Sequence, residues 1–210
     1  MTEVLNQRAF APYIVSWSGE RPDTSTIVAT RRGTIGYLNE LPYDRDSFGA
    51  LWARRPLRQG RGNPEWAAIH PQRQRRCMGG LLCQVCAKPA DESDEGVLWL
   101  LDAGGGDRVA EGERTVHPPV CRWCVGRAVR QCPALREGHL LVRVKRPSVD
   151  GVHGTLYRPG TALPVAAGKG YVPYTDAIGI GWVLAGQLFA TLRGCTPVQG
   201  SELAALWEAR

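Results

Sequence analysis

Cys83-Gln84-Val85-Cys86 and Cys121-Arg122-Trp123-Cys124, with 34 residues between the pairs, decide how the middle of this 210-residue chain folds. A CxxC spacing lets one tight turn aim two sulfurs at one ion, and two such turns supply the four tetrahedral ligands that Zn²⁺ prefers. The residues after each pair differ. Cys86 runs into Ala87-Lys88-Pro89-Ala90, which reads as irregular chain, whereas Cys124 opens Val125–Gln131, a helix that stops before Pro133. Between the pairs lie an apolar strand, Val97–Leu101, a Gly104-Gly105-Gly106 tip and a weaker return segment, Glu113–Val116. Turn, hairpin, then a second ligand pair at a helix N-terminus is the layout of a treble clef, and the helix end favours thiolate charge. The expectation is a structural zinc site made by Cys83, Cys86, Cys121 and Cys124, with Zn²⁺ as cofactor. An iron–sulfur cluster takes the same four thiolates and is the alternative. Cys77, Cys132 and Cys195 are read as spare; Cys132, eleven positions beyond Cys121, returns to nearly the same helical face and is assigned to the core.

Outward from this module the pattern changes. Toward the N-terminus, Tyr13–Trp17 alternates like a strand, and Thr26–Thr30 with Thr34–Leu38 bracket Arg31-Arg32-Gly33 as a tight hairpin. Asn63 with Pro64 reads as the start of a short helix carrying Trp66 and Ile69, with Pro71 interrupting or restarting it and Gly79-Gly80 ending it. Toward the C-terminus, Leu140–Arg146 alternates until Pro147, and Ser201 is placed as N-cap of a last helix with Leu203, Leu206 and Trp207 on one face. The fold class expected is α+β in three parts. Residues 1–62 form a small β-rich region, 63–139 the central treble-clef zinc module, and 140–210 an α+β region packed on it.

Charge is distributed in blocks. The net charge is +6, yet residues 51–76 alone carry +6, residues 77–113 carry −6 and residues 114–146 carry +7. The N-terminal stretch MTEVLNQRAFAPYIVSW has neither the basic start nor the apolar core of a secretory signal. The longest apolar run, Ala177 to Leu192, falls short of the ~20 residues a membrane helix needs and is read as a buried helix. Paired CxxC units without an export signal argue for metal over disulfides. The chain is therefore expected to be cytoplasmic, with no membrane partner.

Two resemblances rest on quoted residues. LLCQVCAKPA and HPPVCRWCVGRAVRQCPAL, with QRQRRCMGGLLC upstream and RPSVDGVHGTLYRP downstream, look like a family of uncharacterised actinobacterial, Streptomyces-like zinc proteins across about residues 66–160. That likeness implies the module and no nameable activity. VCRWCVGRAVR is similar to the closing segment of the four-Cys frames of HNH endonucleases. Those enzymes place a general-base His between their Cys pairs. Here no His occurs from Ala87 to Val116, and His117, beside Pro118-Pro119, is read as structural or as a substitute ligand.

Remaining signals are weaker. Gly104-Gly105-Gly106-Asp107 lacks the Lys-Ser/Thr of a phosphate loop. Asp91-Glu92-Ser93-Asp94-Glu95 lacks the spacing of a calcium loop and reads as solvated. Cations flank the zinc module closely: Arg73, Arg75 and Arg76 before it, Arg122, Arg127 and Arg130 on its helix, then Arg143, Lys145 and Arg146. The expectation is that the zinc fold gathers the first two groups into one phosphate-facing surface for DNA or RNA, with Trp66 and Trp123 available to stack on bases. The function read from sequence is a non-catalytic, nucleic-acid-binding zinc protein. The alternatives are a divergent HNH-like metal-dependent nuclease and a zinc-stabilised scaffold for a protein partner.

Overall fold

The computed structural model describes residues 11–104, 106 and 109–208. In chain order the first elements are β1 (Val15–Trp17), β2 (Ile27–Ala29), β3 (Ile35–Tyr37), a 3-10 turn at Pro42–Asp44, β4 (Leu51–Trp52) and β5 (Pro64–Ile69). The middle of the chain contributes α1 (Pro71–Gly79), β6 (Glu92–Ser93), β7 (Gly96–Asp102), β8 (Glu113–Thr115), α2 (Arg122–Gln131) and α3 (Pro133–Glu137). The last part holds β9 (His139–Val144), β10 (Ser148–Arg158), β11 (Val165–Pro173), α4 (Ala177–Ile180), β12 (Val183–Leu192), β13 (Cys195–Pro197) and α5 (Gly200–Glu208). Strands and helices are mixed, as an α+β reading requires. The chain gathers into two compact units, each built from non-consecutive segments.

The first unit contains Val15–Arg73 and Asp150–Phe189. β2 and β3 form the hairpin expected, with Ile27 opposite Tyr37 and Ala29 opposite Ile35. Gly33 supplies the left-handed backbone its turn needs, at φ +72°. Ile35, Tyr37 and Leu51 are buried together, with Ile27, Tyr157, Trp182 and Leu184 packed against them. β10 lies between β11 and β12, and β4 pairs parallel to β12 through Leu51 and Leu184. At Gly154 the approach is so close that an added Cβ would lie 2.1 Å from the Leu184 carbonyl oxygen.

Two helices expected here are strands. Residues 64–69 pair with β1, Val15 opposite Ile69 and Ser16 opposite Glu65. Asn63 caps nothing; it joins Ser18 through both backbone atoms, donating to Oγ at 3.0 Å and accepting from the Ser18 N–H at 2.9 Å. Pro64 sits at the first position of the strand, where its missing N–H is tolerated, and the helix restarts at Pro71. The apolar run 177–192 is likewise not one helix. Asp176 caps a single turn, accepting from the Gly179 N–H at 2.8 Å, and the chain then enters β12. A central strand covered on both faces is apolar at consecutive positions, which periodicity alone does not separate from a buried helix.

The second unit contains Pro12–Ile14, Gln74–Val149 and residues 190–208. Its sheet has the order β13-β9-β7-β6, with Val97 opposite Val144 and Asp102 opposite His139. The return segment Glu113–Thr115 does not fold back on β7 as expected; β8 pairs with the end of β12, Thr115 opposite Ala190. β7 is instead flanked by β9 along Val97–Asp102 on one side and, at Gly96–Val97, by the short β6 on the other. Helix α2 packs against α3 and α5. Leu98, Leu100, Val120, Val125, Ala128, Leu141, Val198 and Leu206 make one buried cluster that includes Cys83, Cys121 and Cys124. α5 starts at Gly200, so Ser201 lies in its first turn instead of capping it, while Leu203 and Leu206 face this core. Among the described residues no helix is long and apolar enough to cross a membrane.

Candidate metal centre

The first ligand pair is set by the chain leaving α1. Leu81 takes a left-handed φ of 48°, and Leu82 donates its N–H to the Cys77 carbonyl at 2.8 Å, turning the chain back. Cys83 then donates to the Lys88 carbonyl at 2.7 Å and accepts from the Ala87 N–H at 2.8 Å. Ala87 closes the turn at φ +59°, a conformation that costs a residue with a Cβ about 1 kcal/mol and marks the turn as enforced. The Val85 N–H points at the Cys83 sulfur, 3.4 Å away, as a donor to thiolate does. From outside, Tyr13 and Ile14 donate their N–H groups to the Val85 and Gln84 carbonyls.

The second pair opens α2. Cys121 is the N-cap, extended at φ −89° and ψ 153°, and Cys124 stands in the first turn, its N–H on the Cys121 carbonyl at 3.0 Å. Gln84 donates to the Pro119 carbonyl at 3.0 Å, joining the two arms directly. All four sulfurs lie within 4.8 Å of one another, with Cys86 and Cys121 3.7 Å apart. Around a cation holding sulfurs at about 2.3 Å, tetrahedral neighbours are about 3.8 Å apart. Cys83, Cys121 and Cys124 are buried and Cys86 is exposed, and all four thiols are free. These four cysteines are positioned to bind a metal ion.

Their electrostatics point the same way. Hydrogen bonds from the Cys121 and Cys124 thiols hold Cys83 down to about 2 despite its burial. That single thiolate then opposes the next. Cys121 is drawn down by its bond with Cys124, but the bond with Cys83, burial and neighbouring charge outweigh this and push it up to about 12. Cys124 is pushed up by its hydrogen bonds with Cys121 and Cys83 and by burial. Cys83, Cys121 and Cys124 oppose one another's ionisation; a dication held among them would remove the opposition, which would make its binding a proton-releasing event.

A charged network braces the second arm. Asp91 donates its N–H to the Val120 carbonyl at 3.0 Å, one residue before Cys121. Its carboxylate accepts from Arg122 Nε at 2.6 Å and from Arg143 Nη2 at 2.5 Å. Arg143, buried on β9, also donates to Glu202 of α5 at 2.8 Å and to the Asp91 and Gly96 carbonyls. Burial pushes the Asp91 carboxyl up, but the two guanidiniums outweigh it and hold it below the usual range. Residues 92–95 are exposed, as the solvated-loop reading has it, but that reading is corrected in two places: Asp91 is an anchor and Glu92-Ser93 form β6. A lone Asp heading an acidic run gave no sequence signal for this.

The cationic residues named from sequence have different fates. Arg73 is turned into the first unit, 2% exposed, with both terminal nitrogens on the Glu20 carboxylate at 2.6 and 2.7 Å and one also on the Val15 carbonyl. It is not part of an exposed phosphate surface. Arg143 is equally buried. Arg122 is exposed but bound to Asp91; Arg75 is half-buried; Arg76 is exposed and donates to the Tyr13 hydroxyl at 3.3 Å. Arg127 and Arg130 are exposed on α2. The 51–76 block is also internally neutralised in part, since Arg54 binds Asp44 and Asp23 and Arg55 binds Glu65.

His117 lies outside the thiol cluster and is exposed. Its backbone is engaged instead, accepting from Trp99 Nε1 at 2.9 Å and donating to Thr115 Oγ1 at 3.1 Å. Cys77 is buried, with its sulfur 3.7 Å from the Cys83 carbonyl oxygen, and Cys132 and Cys195 are half-buried. Compared with models of protein families, with curated proteins and with solved structures, the chain matches none, so the four-thiol geometry and the groups around it carry the functional argument alone.

Proposed function

We propose that this is a non-catalytic zinc protein whose Cys83–Cys86–Cys121–Cys124 site is structural and whose second unit binds nucleic acid. The observation that carries the metal part is a closed set of four sulfurs at tetrahedral spacing, three of them in the apolar core. A catalytic zinc keeps an open position for water, and four thiolates leave none. The turn at Cys83–Cys86, the short β6–β7 hairpin and the helix opening at Cys121 support a treble-clef-like description. Zn²⁺ fits thiolates better than harder cations do, and it needs no redox partner.

Nucleic-acid binding is supported by α2, which exposes Arg127 and Arg130 and carries no acidic side chain. The HNH-like alternative needs ligands for a second ion. Among the described residues, the four cysteines are the cluster so spaced. A scaffold for a protein partner is the remaining alternative.

Elemental analysis and a salt titration test the reading together. Purified protein should hold about one zinc per chain and lose it in Cys83→Ser or Cys121→Ser, with folding lost alongside. Cys195→Ser should keep it. Affinity for a mixed-sequence oligonucleotide should fall linearly on a log–log salt plot. Iron in place of zinc refutes the metal assignment, and binding that ignores salt refutes the nucleic-acid assignment.

A further inference from the structure

His70 stands at the junction of β5 and α1 with its side chain fully buried, 0% exposed. Its Nε2 lies 3.3 Å from the Pro56 carbonyl oxygen. A carbonyl only accepts, so Nε2 carries the hydrogen, and Nδ1 of the neutral ring is a bare acceptor. Nδ1 has no hydrogen-bond partner among the described residues. A second proton would therefore put a charged N–H where nothing accepts it. The carboxylate beside the ring is already occupied. Glu20 Oε1, 3.9 Å from Nε2, accepts from Arg73 Nη1 at 2.6 Å and from the Arg58 N–H at 2.9 Å. Glu20 Oε2 accepts from Arg73 Nη2 at 2.7 Å and from the Trp17 N–H at 2.9 Å. Two bonds to each oxygen use the roughly four lone-pair sites of a carboxylate. Glu20 and Arg73 are thus buried as a neutral pair, and a proton on His70 would add an uncompensated charge beside them.

The same two side chains hold a surface loop. Residues 56–63, between β4 and β5, are exposed apart from their backbone anchors, with Leu57 66% exposed and Arg58 and Arg61 on the outside. The loop reaches inward at Pro56, through its carbonyl on His70, and at Arg58, through its N–H on Glu20. We infer that His70 and Glu20 form a pH-sensitive latch on this basic loop, which is fixed while the imidazole is neutral and released when the ring takes up a proton in mildly acidic solution. The latch depends neither on the metal nor on nucleic acid. Burial, then the Arg73 charge, pushes His70 below its ordinary value, with Arg55 adding to them, and together they outweigh the pull of the Pro56 bond and of Glu20. Opening the loop returns the ring to water and to a value of about 6.5. The latch is therefore at full strength above that value. It weakens by up to about ten-fold for each pH unit below it, until the closed ring itself takes a proton. Burial pushes the Glu20 carboxyl up, but Arg73 and the Trp17 and Arg58 N–H groups outweigh it and hold it below the usual range, so Glu20 stays ionised across the window.

Amide exchange followed by NMR in the full chain, at about pH 7.5 and about pH 5 and corrected for the intrinsic pH dependence of exchange, tests the latch. Protection of the Arg58 N–H should fall by up to about 30-fold between the two conditions. The Tyr157 N–H, bonded to the Trp182 carbonyl at 2.8 Å in the same unit, should change by less than about three-fold. His70→Gln can still donate to Pro56 but cannot take up a proton, so its Arg58 protection should not respond to pH. His70→Phe lacks the donor and should lower that protection at both pH values. In the parent, the ring resonances of His70 should titrate below the range of an exposed histidine, a measurement that needs no variant to fold. Arg58 protection that is equal at the two pH values in the parent overturns the latch, as does a His70 ring that titrates at about 6.5. An equal fall at Tyr157 also overturns it, since acid would then loosen the whole unit, and so does a fall in His70→Gln as large as in the parent.

Discussion

Replacing Asp91 by Asn tests how far the charged network, apart from the thiol cluster, holds the second unit. Asp91 is 10% exposed in its side chain and Arg143 2%, so their contact is effectively buried. Removing one partner of a buried ion pair costs about 3–5 kcal/mol, because the other charge stays behind. Arg143 keeps Glu202 at 2.7 Å and two backbone carbonyls, which places Asp91→Asn at the lower end, about 3 kcal/mol. Arg122→Ala removes only the half-exposed arm of the same carboxylate and should cost under about 1 kcal/mol. With a urea dependence of about 2 kcal/mol per molar, the midpoints should drop by about 1.5 M for the first and under 0.5 M for the second. Far-UV circular dichroism in excess Zn²⁺, which would keep any contribution from a bound metal constant, reads both. The pH dependence follows from the depressed Asp91 carboxyl. Its contribution is fully present above the unfolded value, about 3.9, and is lost as pH falls through the lower folded value. The gap between parent and Asp91→Asn should therefore close in acid. Equal midpoints for Asp91→Asn and the parent at pH 7, or an Arg122→Ala loss as large as that of Asp91→Asn, would refute this account of the network.

Two further outcomes are expected. Gly154→Ala should lower the urea midpoint sharply, since its Cβ would meet the Leu184 carbonyl oxygen at 2.1 Å, whereas at Gly186 the nearest atom is 3.9 Å away and Ala should be accepted; equal effects at the two sites contradict the strand packing. His117→Ala should keep the full zinc content by elemental analysis, because its ring lies outside the thiol cluster and its structural bonds are made by backbone atoms, so a metal loss would make it a ligand.

What the sequence disclosed was local. The cysteine spacing, the helix after Cys124 and the Gly33 hairpin each depend on a few neighbouring residues, and each appears in the structure where its own residues place it. Elements whose identity depends on distant partners were misread for one physical reason. Residues 64–69 have the capping chemistry of a helix start, yet pairing with β1, some fifty positions away, outweighs that preference. The run 177–192 is apolar enough for a buried helix, and pairing with β10 on one side and with β4 and β8 on the other makes Val183–Leu192 a strand. Charge was legible as a count and not as a surface, because a guanidinium's role depends on which carboxylate the fold brings to it. Arg73 and Arg143 meet Glu20 and Asp91, each more than fifty positions away, and are buried. Arg127 and Arg130 lie on a helix that carries no acidic residue of its own, and they stay exposed. The +7 of residues 114–146 therefore overstates the available field, and a phosphate surface on this unit must be argued from where the fold leaves each cation and not from their count.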